Sequence, residues 1–398
     1  MISPESQQIN NVIAEKKSKN DIPSRGKMDM TFFGMVMLLL TVGLVMLFSA
    51  SYAYAYYYYN GNSYKFITNQ AIFAVVGVAV MIIISFIDYR WLKKFHLPWI
   101  VYGISVALLA VVLILPPMNE ELGVKRWISF GSFNFQPSEI AKFAIILLFS
   151  YLIAQKKEKM KTFKDGILPF VILLGLVCLL LIKEPHLSAT VLVFFIGAVL
   201  MIVGGIRLKW LAVGGGAAVA GFILVIATGV VSYASKRIDV WFNPWSDPQG
   251  DGFQTIQSIY AIGSGGLWGR GIGQSRQKYL WVPEPHNDFI FSIVCEELGL
   301  IGAVAILAAF CVLVWRGISI ARRAPDRFGG LLALGITFQV GLQAALNVLV
   351  VTDTIPNTGI SLPFFSYGGT ALLMLLAQMG IMLSISRQSS VKKRVEKK

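Results

Sequence analysis

Asp288 stands where a polar loop, Trp281-Val-Pro-Glu-Pro-His-Asn-Asp288, gives way to the apolar run Phe-Ile-Phe-Ser-Ile-Val-Cys295. A carboxylate at the edge of an apolar span is costly unless it is solvated, paired or used. As a general base it could take a proton from a hydroxyl. As an N-cap it would satisfy free helix N–H groups and complement the helix dipole. From this residue alone both roles stay open. A helix N-terminus and nearby cations would lower its pKa, whereas a base works best when tuned toward the operating pH.

Cations form the second group. Lys125-Arg126 with Trp127, and Lys236-Arg237, are pairs that could clamp a pyrophosphate, Arg as a fork of donors and Lys as a compact charge. Headgroup contact, or pairing with neighbours such as Asp239, is the competing role. Arg270, Arg276 and Lys278 are weaker candidates for the clamp. In Gln136-Pro-Ser-Glu139-Ile-Ala-Lys142 the two ionisable groups are three apart and share a helix face, either as a structural pair or as part of a binding cavity. His286 reads as a loop-orienting residue more than as a proton shuttle, and His186 sits in a short turn. Three scattered His and three Cys (Cys178, Cys295, Cys311) show neither metal-ligand nor disulfide spacing. The glycines from Gly263 to Gly273 lack the ending of a P-loop and read as turns.

The elements that must position these groups are helices in a membrane. Hydrophobic residues are 56% and charged residues 14% of 398, and mean hydropathy is +0.66. The fold class is therefore all-α and polytopic. Windows at 30–52, 66–87, 97–115, 138–155, 166–182, 187–204, 210–232, 288–314, 328–351 and 368–386 predict about ten spans. Most of the 35 Lys and Arg fall in alternate connections if both termini are cytoplasmic, as the positive-inside rule requires. The formal charge of +14 follows from that topology and argues for no nucleic acid partner. The organisation expected is a polar tail over 1–28, a membrane domain over 29–386 and a basic tail over 387–398. The long connection over 233–287 is Trp-rich and contains an amphipathic stretch, Gln254 to Ile262. It is expected to lie against the outer surface as a partial lid.

The ordered motifs Arg126-Trp127, Phe135-Gln-Pro-Ser-Glu139-Ile-Ala-Lys142, Glu184-Pro185, the glycine run to Gln274-Ser275, Pro283-Glu-Pro-His-Asn-Asp288 and Pro363-Phe-Phe-Ser366-Tyr-Gly-Gly369 resemble the SEDS family of FtsW, RodA and SpoVE. The Gly273-to-Lys278 segment places the chain nearer the FtsW/SpoVE branch. The resemblance covers about 30–386 and implies a bacterial inner-membrane peptidoglycan glycosyltransferase. Such an enzyme polymerises lipid II into a nascent glycan and releases undecaprenyl pyrophosphate, alongside a class B penicillin-binding protein and other division or sporulation proteins. It puts the family's essential aspartate at Asp288, its span Glu and Lys at Glu139 and Lys142, and its Arg-Trp at Arg126 and Trp127. Those residues, with Lys125, Lys236, Arg237, His286 and Ser366, are the expected substrate contacts, and a divalent cation such as Mg2+ is a candidate bridge to the pyrophosphate. Two departures are visible: His186 where relatives usually read Asp, and Asn287 where Thr is common. A lipid II flippase and a non-catalytic scaffold are the alternative functions.

Overall fold

A computed structural model describes residues 26–116, 126–130, 133–207, 209–210, 214–216 and 232–395. Long apolar segments dominate because a helix satisfies its own backbone, which is the requirement for crossing lipid. In chain order these are α1 (Met30–Tyr58), α2 (Lys65–Phe86), α3 (Leu97–Ile114), α4 (Pro137–Lys156), α5 (Leu168–Lys183), α6 (Leu187–Val203), α7 (Ser232–Phe242), α8 (Phe253–Gly265), α9 (Ile290–Arg322), α10 (Arg327–Val351) and α11 (Gly369–Val395). Among the described residues eight helices are long and apolar enough to cross a membrane, and α6 is a shorter apolar helix. The expected span at 210–232 lies mostly outside the described residues, as does the tail up to residue 25. The last helix runs on to Val395, so residues 387–395 are helical.

One feature differs from the sequence expectation. A short antiparallel hairpin, β1 (Ile128–Phe130) with β2 (Phe133–Phe135), pairs Ile128 with Phe135. Three-residue strands carry too little alternation to be read from sequence. The connection before α9 is ordered, with α7 and α8 as helices, and α8 packs along α9. The most buried spans are α4 and α11, while α2 and α3 leave much of their apolar surface outward. α11 packs on α2, α10 on α9 and α4, and α1 on α9.

The long α9 is interrupted at Gly299, whose φ of 67° and ψ of −171° leave the helix. Only glycine reaches that conformation cheaply. The freed carbonyls of Glu296 and Glu297 accept from the N–H groups of Arg270 and Gly271, each at 3.0 Å. The amides of Leu300 and Ile301 donate to Gly266 and Leu267 carbonyls at 2.9 and 3.2 Å. The glycine run is thus spliced into the break. Side chains reinforce it: Glu296 accepts from Ser275 Oγ at 2.5 Å and from Arg276 N–H at 2.9 Å. Glu297 accepts from Ser49 Oγ at 2.7 Å and pairs with Lys278 at 3.0 Å.

Lys278 is 2% exposed and held by Glu297, so it is committed to this lock and not to a phosphate clamp, while the exposed Arg270 lies 3.6 Å from Glu296 at its edge. Truncating one partner of a buried pair strands the other charge. Lys278→Met is therefore expected to lower unfolding stability by about 3–5 kcal/mol. Adding Glu297→Gln should recover part of that loss. Unfolding of the detergent-solubilised protein measures both, and a cost below about 1 kcal/mol for the single variant would contradict the lock.

Candidate functional site

Asp288 and its neighbours meet at a cavity of about 710 Å³. That size lies within the range of small-molecule sites. Arg126, Trp127, Glu139, Lys142, His186 and Asp288 line it, from the hairpin approach, α4, the α5–α6 turn and the loop before α9. The hairpin swings Arg126 and Trp127 over the cavity, and Thr370 Oγ1 ties it to the start of α11 by donating to the Asn134 carbonyl at 3.2 Å. Lys142 and Glu139 pair at 2.8 Å, as their spacing predicts, and Lys142 also reaches Gln343 Oε1 at 3.4 Å. Ile72, Phe73, Val76 and Leu373 give one side of the cavity an apolar wall.

Asp288 does not cap α9. The cap residue is Phe289, which makes no side-chain cap bond, and the helix starts at Ile290. The carboxylate is instead held against the cavity by its backbone. Asn347, wholly buried in α10, donates from Nδ2 to the carbonyls of Asp288 at 2.7 Å and Ile360 at 2.6 Å. Ser366 Oγ donates to the Asn287 carbonyl at 2.8 Å and accepts from Leu362 N–H at 2.7 Å. Tyr367 N–H donates to the His286 carbonyl at 2.9 Å. Gly359, at φ +71°, completes the approach, since a Cβ there would stand 3.0 Å from Asp288 Oδ2. Two adjoining loops are thus clasped into one wall.

The electrostatic expectation for Asp288 is reversed. Burial is the largest influence and lifts the carboxyl from 3.8 to about 6, with Glu284 raising it and Arg126 and Arg237 opposing. The two arginines come from loop and α7, and they anchor to backbone carbonyls, Arg126 to Pro185 and Arg237 to Asn357. Burial outweighs them because removing a carboxylate's hydration costs more than two partly engaged cations return. Beside Arg126, Glu184 is fully buried and burial pushes its carboxyl up to about 8. His186 lines the cavity with its Nε2 3.4 Å from Gln136 Nε2, and burial followed by Arg126 and Lys142 pushes it well below 6.5.

Several expected contacts sit elsewhere. His286 is packed between Tyr54 and Phe66, its ring centroid 4.9 and 4.1 Å from theirs, and burial lowers it to about 4. With Ser366 it lies behind the cavity wall as a loop-positioning group, both residues being buried. Lys125 lies outside the described residues, and Lys236 is in α7 without a described side chain. Sequence reading missed Asn347 and Gln343. With Gln339 they recur every four residues on one face of an apolar helix, a polar stripe that was legible in the sequence. Among the described residues no group of three His, Cys, Asp or Glu could hold a metal. Glu284 lines the cavity and, with substrate phosphates, is the kind of oxygen donor a Mg2+ would take.

The profile of the cell cycle protein family FtsW/RodA/SpoVE matches residues 29–391. The chain is 40% identical over 365 residues to stage V sporulation protein E of Bacillus subtilis (strain 168), covering 91% of this chain and 97% of that one. It is 39% identical over 358 residues to the probable peptidoglycan glycosyltransferase FtsW of Geobacter sulfurreducens (strain DL-1 / KN400), covering 90% and 95%. Among solved structures it is similar to a chain from a peptidoglycan synthase complex that coordinates polymerization and crosslinking. That match has a TM-score of 0.74 at 27% identity over 91% of this chain and 98% of the other. The rod shape determining protein RodA of Thermus thermophilus matches with a TM-score of 0.66 at 25% identity, covering 91% and 97%.

A stability signature follows from the Asp288 environment. The folded chain holds this proton more tightly than the unfolded chain, so ionising it costs stability as pH rises from about 4 through 6. Asp288→Asn is expected to be more stable than wild type by roughly 2 kcal/mol at pH 7–8, with the difference vanishing below about pH 4. Thermal unfolding of both proteins across that range checks it.

Proposed function

The chain belongs to the FtsW/RodA/SpoVE family of cell cycle proteins, and on that premise we propose that it is a peptidoglycan glycosyltransferase with Asp288 as its general base. The observation that carries this reading is the tuned carboxyl. Asp288 opens onto a cavity of substrate size, and its pKa of about 6 leaves it ionised yet basic at neutral pH.

The reaction is an inverting displacement. Asp288 takes the proton from the 4-hydroxyl of the acceptor GlcNAc as that oxygen attacks C1 of the donor MurNAc. The bond from C1 to the pyrophosphate breaks, and undecaprenyl pyrophosphate leaves. An α-linked donor becomes a β-1,4 glycan in one step, so no covalent enzyme intermediate is needed. Arg126, with Arg237 and the Lys125 and Lys236 neighbours, stands for the clamp on the departing phosphates, where charge stabilisation is worth most. Trp127 offers a flat apolar face to a sugar ring, and the Glu139–Lys142 pair supplies polar contacts deeper in the cavity. The apolar wall of Ile72, Phe73, Val76 and Leu373 suits the first isoprene units, which then need not leave the bilayer. A Mg2+ held by Glu284 and the substrate phosphates would neutralise charge on the leaving group and leave Asp288 as the base.

The working topology is ten spans with both termini cytoplasmic and the cavity on the outer face, as the Lys and Arg distribution supports. The likeness to a chain of a synthase complex supports a class B penicillin-binding protein as partner. The test is polymerisation of lipid II by the purified chain with that partner. Asp288→Asn should lose about 10²–10⁴-fold in rate while keeping its fold. The wild-type rate should rise with pH through about 6, because the base must be deprotonated. Polymer formation by Asp288→Asn at the wild-type rate would sink the assignment.

A further inference from the structure

At the end of the bundle remote from Asp288, a second cavity of about 520 Å³ opens between the start of α1, the end of α9 and the end of α11. Its wall carries Lys27, Arg316, Arg322 and Arg323 against one carboxylate, Asp29. That carboxylate is already engaged. It caps α1 by accepting from Phe32 N–H at 3.0 Å and pairs with Arg316 at 2.5 Å, while its own N–H donates to Ser386 Oγ at 3.1 Å. Arg316 keeps a buried Nε that has no hydrogen-bond partner among the described residues. Arg322 and Arg323 are exposed, and among the described residues neither makes an ion pair. The cavity thus gathers more positive charge than its own residues neutralise. The carbonyl end of α9 lies here and would favour cations, so part of that charge is answered by the helix. Half a charge there does not balance the two exposed guanidinium groups of Arg322 and Arg323.

Arg forks and a Lys ammonium in one recess are the donors that recognise a phosphate. α1, α9 and α11 are each long and apolar enough to cross a membrane, so their shared end sits at headgroup depth, where the abundant phosphates belong to lipids. Ile320 and Met30 line the same recess and offer apolar contact to the glycerol and first acyl carbons. A zwitterionic headgroup would bring its own cation toward these arginines, so a net negative one fits better. We infer that this cavity binds the phosphate headgroup of an anionic phospholipid at the face opposite the active site.

The test uses the full chain in detergent micelles, titrated with short-chain phosphatidylglycerol, phosphatidylcholine or inorganic phosphate, with bound molecules counted by native mass spectrometry. One phosphatidylglycerol is expected to bind in preference to phosphatidylcholine. Arg322→Gln/Arg323→Gln should weaken it roughly twentyfold, and Arg323→Gln alone roughly fivefold. Lys157→Gln/Lys159→Gln removes two exposed cations from the same end outside the cavity and should leave binding unchanged. Undiminished binding in the arginine variants overturns the site. Equal loss in the lysine control overturns it too, since diffuse charge would then suffice. Displacement of the lipid by inorganic phosphate at comparable concentration overturns the lipid assignment in favour of a soluble anion.

Discussion

A helix broken inside an apolar bundle must have its freed amides and carbonyls satisfied by protein, because lipid offers no partners. α9 meets that constraint at Gly299 by exchanging backbone hydrogen bonds with the glycine run of the preceding connection. The buried Glu296 and Glu297 then draw Ser275, Lys278 and Ser49 onto the same joint. The consequence is positional. A connection of some fifty residues, which alone could take many shapes, is rooted to a span at its far end and delivers Asp288 at a defined place.

The site itself is a contest between burial and charge. Arg126 and Arg237 pull the Asp288 carboxyl toward the ionised form, but burial pushes the other way and prevails. A carboxylate positioned by its backbone and without a capping duty is left facing the cavity. Asn347 is central to that rigidity, since one buried amide holds carbonyls from both adjoining loops. The cost of leaving either carbonyl unmatched in that environment is what makes the clasp firm. Ser366 and Gly359 serve the same wall, one by bridging loops and the other by keeping out a Cβ.

Much of this was legible from residue order. Hydropathy located the starts of the described spans to within about two residues, since about 20 consecutive apolar residues have few alternatives to a spanning helix, while α1, α9 and α11 run on well past their predicted ends. The i, i+3 spacing of Glu139 and Lys142 anticipated their pair. The position of Asp288 at a loop–helix junction singled it out before any geometry. Other features were not legible. The capping role assigned to Asp288 as an alternative failed because the helix begins two residues later. Lys278 and Arg270 were weaker candidates for a phosphate clamp until the fold placed Glu297 and Glu296 beside them. The polar stripe Gln339, Gln343 and Asn347 was present in the sequence but its meaning depends on which loops pack over it.

Local chemistry, set by side-chain type and chain-order spacing, determined the helical membrane architecture, the carboxylate at the loop–helix junction and the family to which the motifs point. Tertiary structure alone decided which cations face that carboxylate, which are locked into the α9 joint, and in which direction the acid's affinity for its proton moves. The division has one physical reason. Hydrophobic periodicity and helix spacing act over a few residues along the chain, whereas desolvation and Coulomb energies depend on through-space distances between residues that can lie far apart in sequence, as Arg126 and Asp288 do.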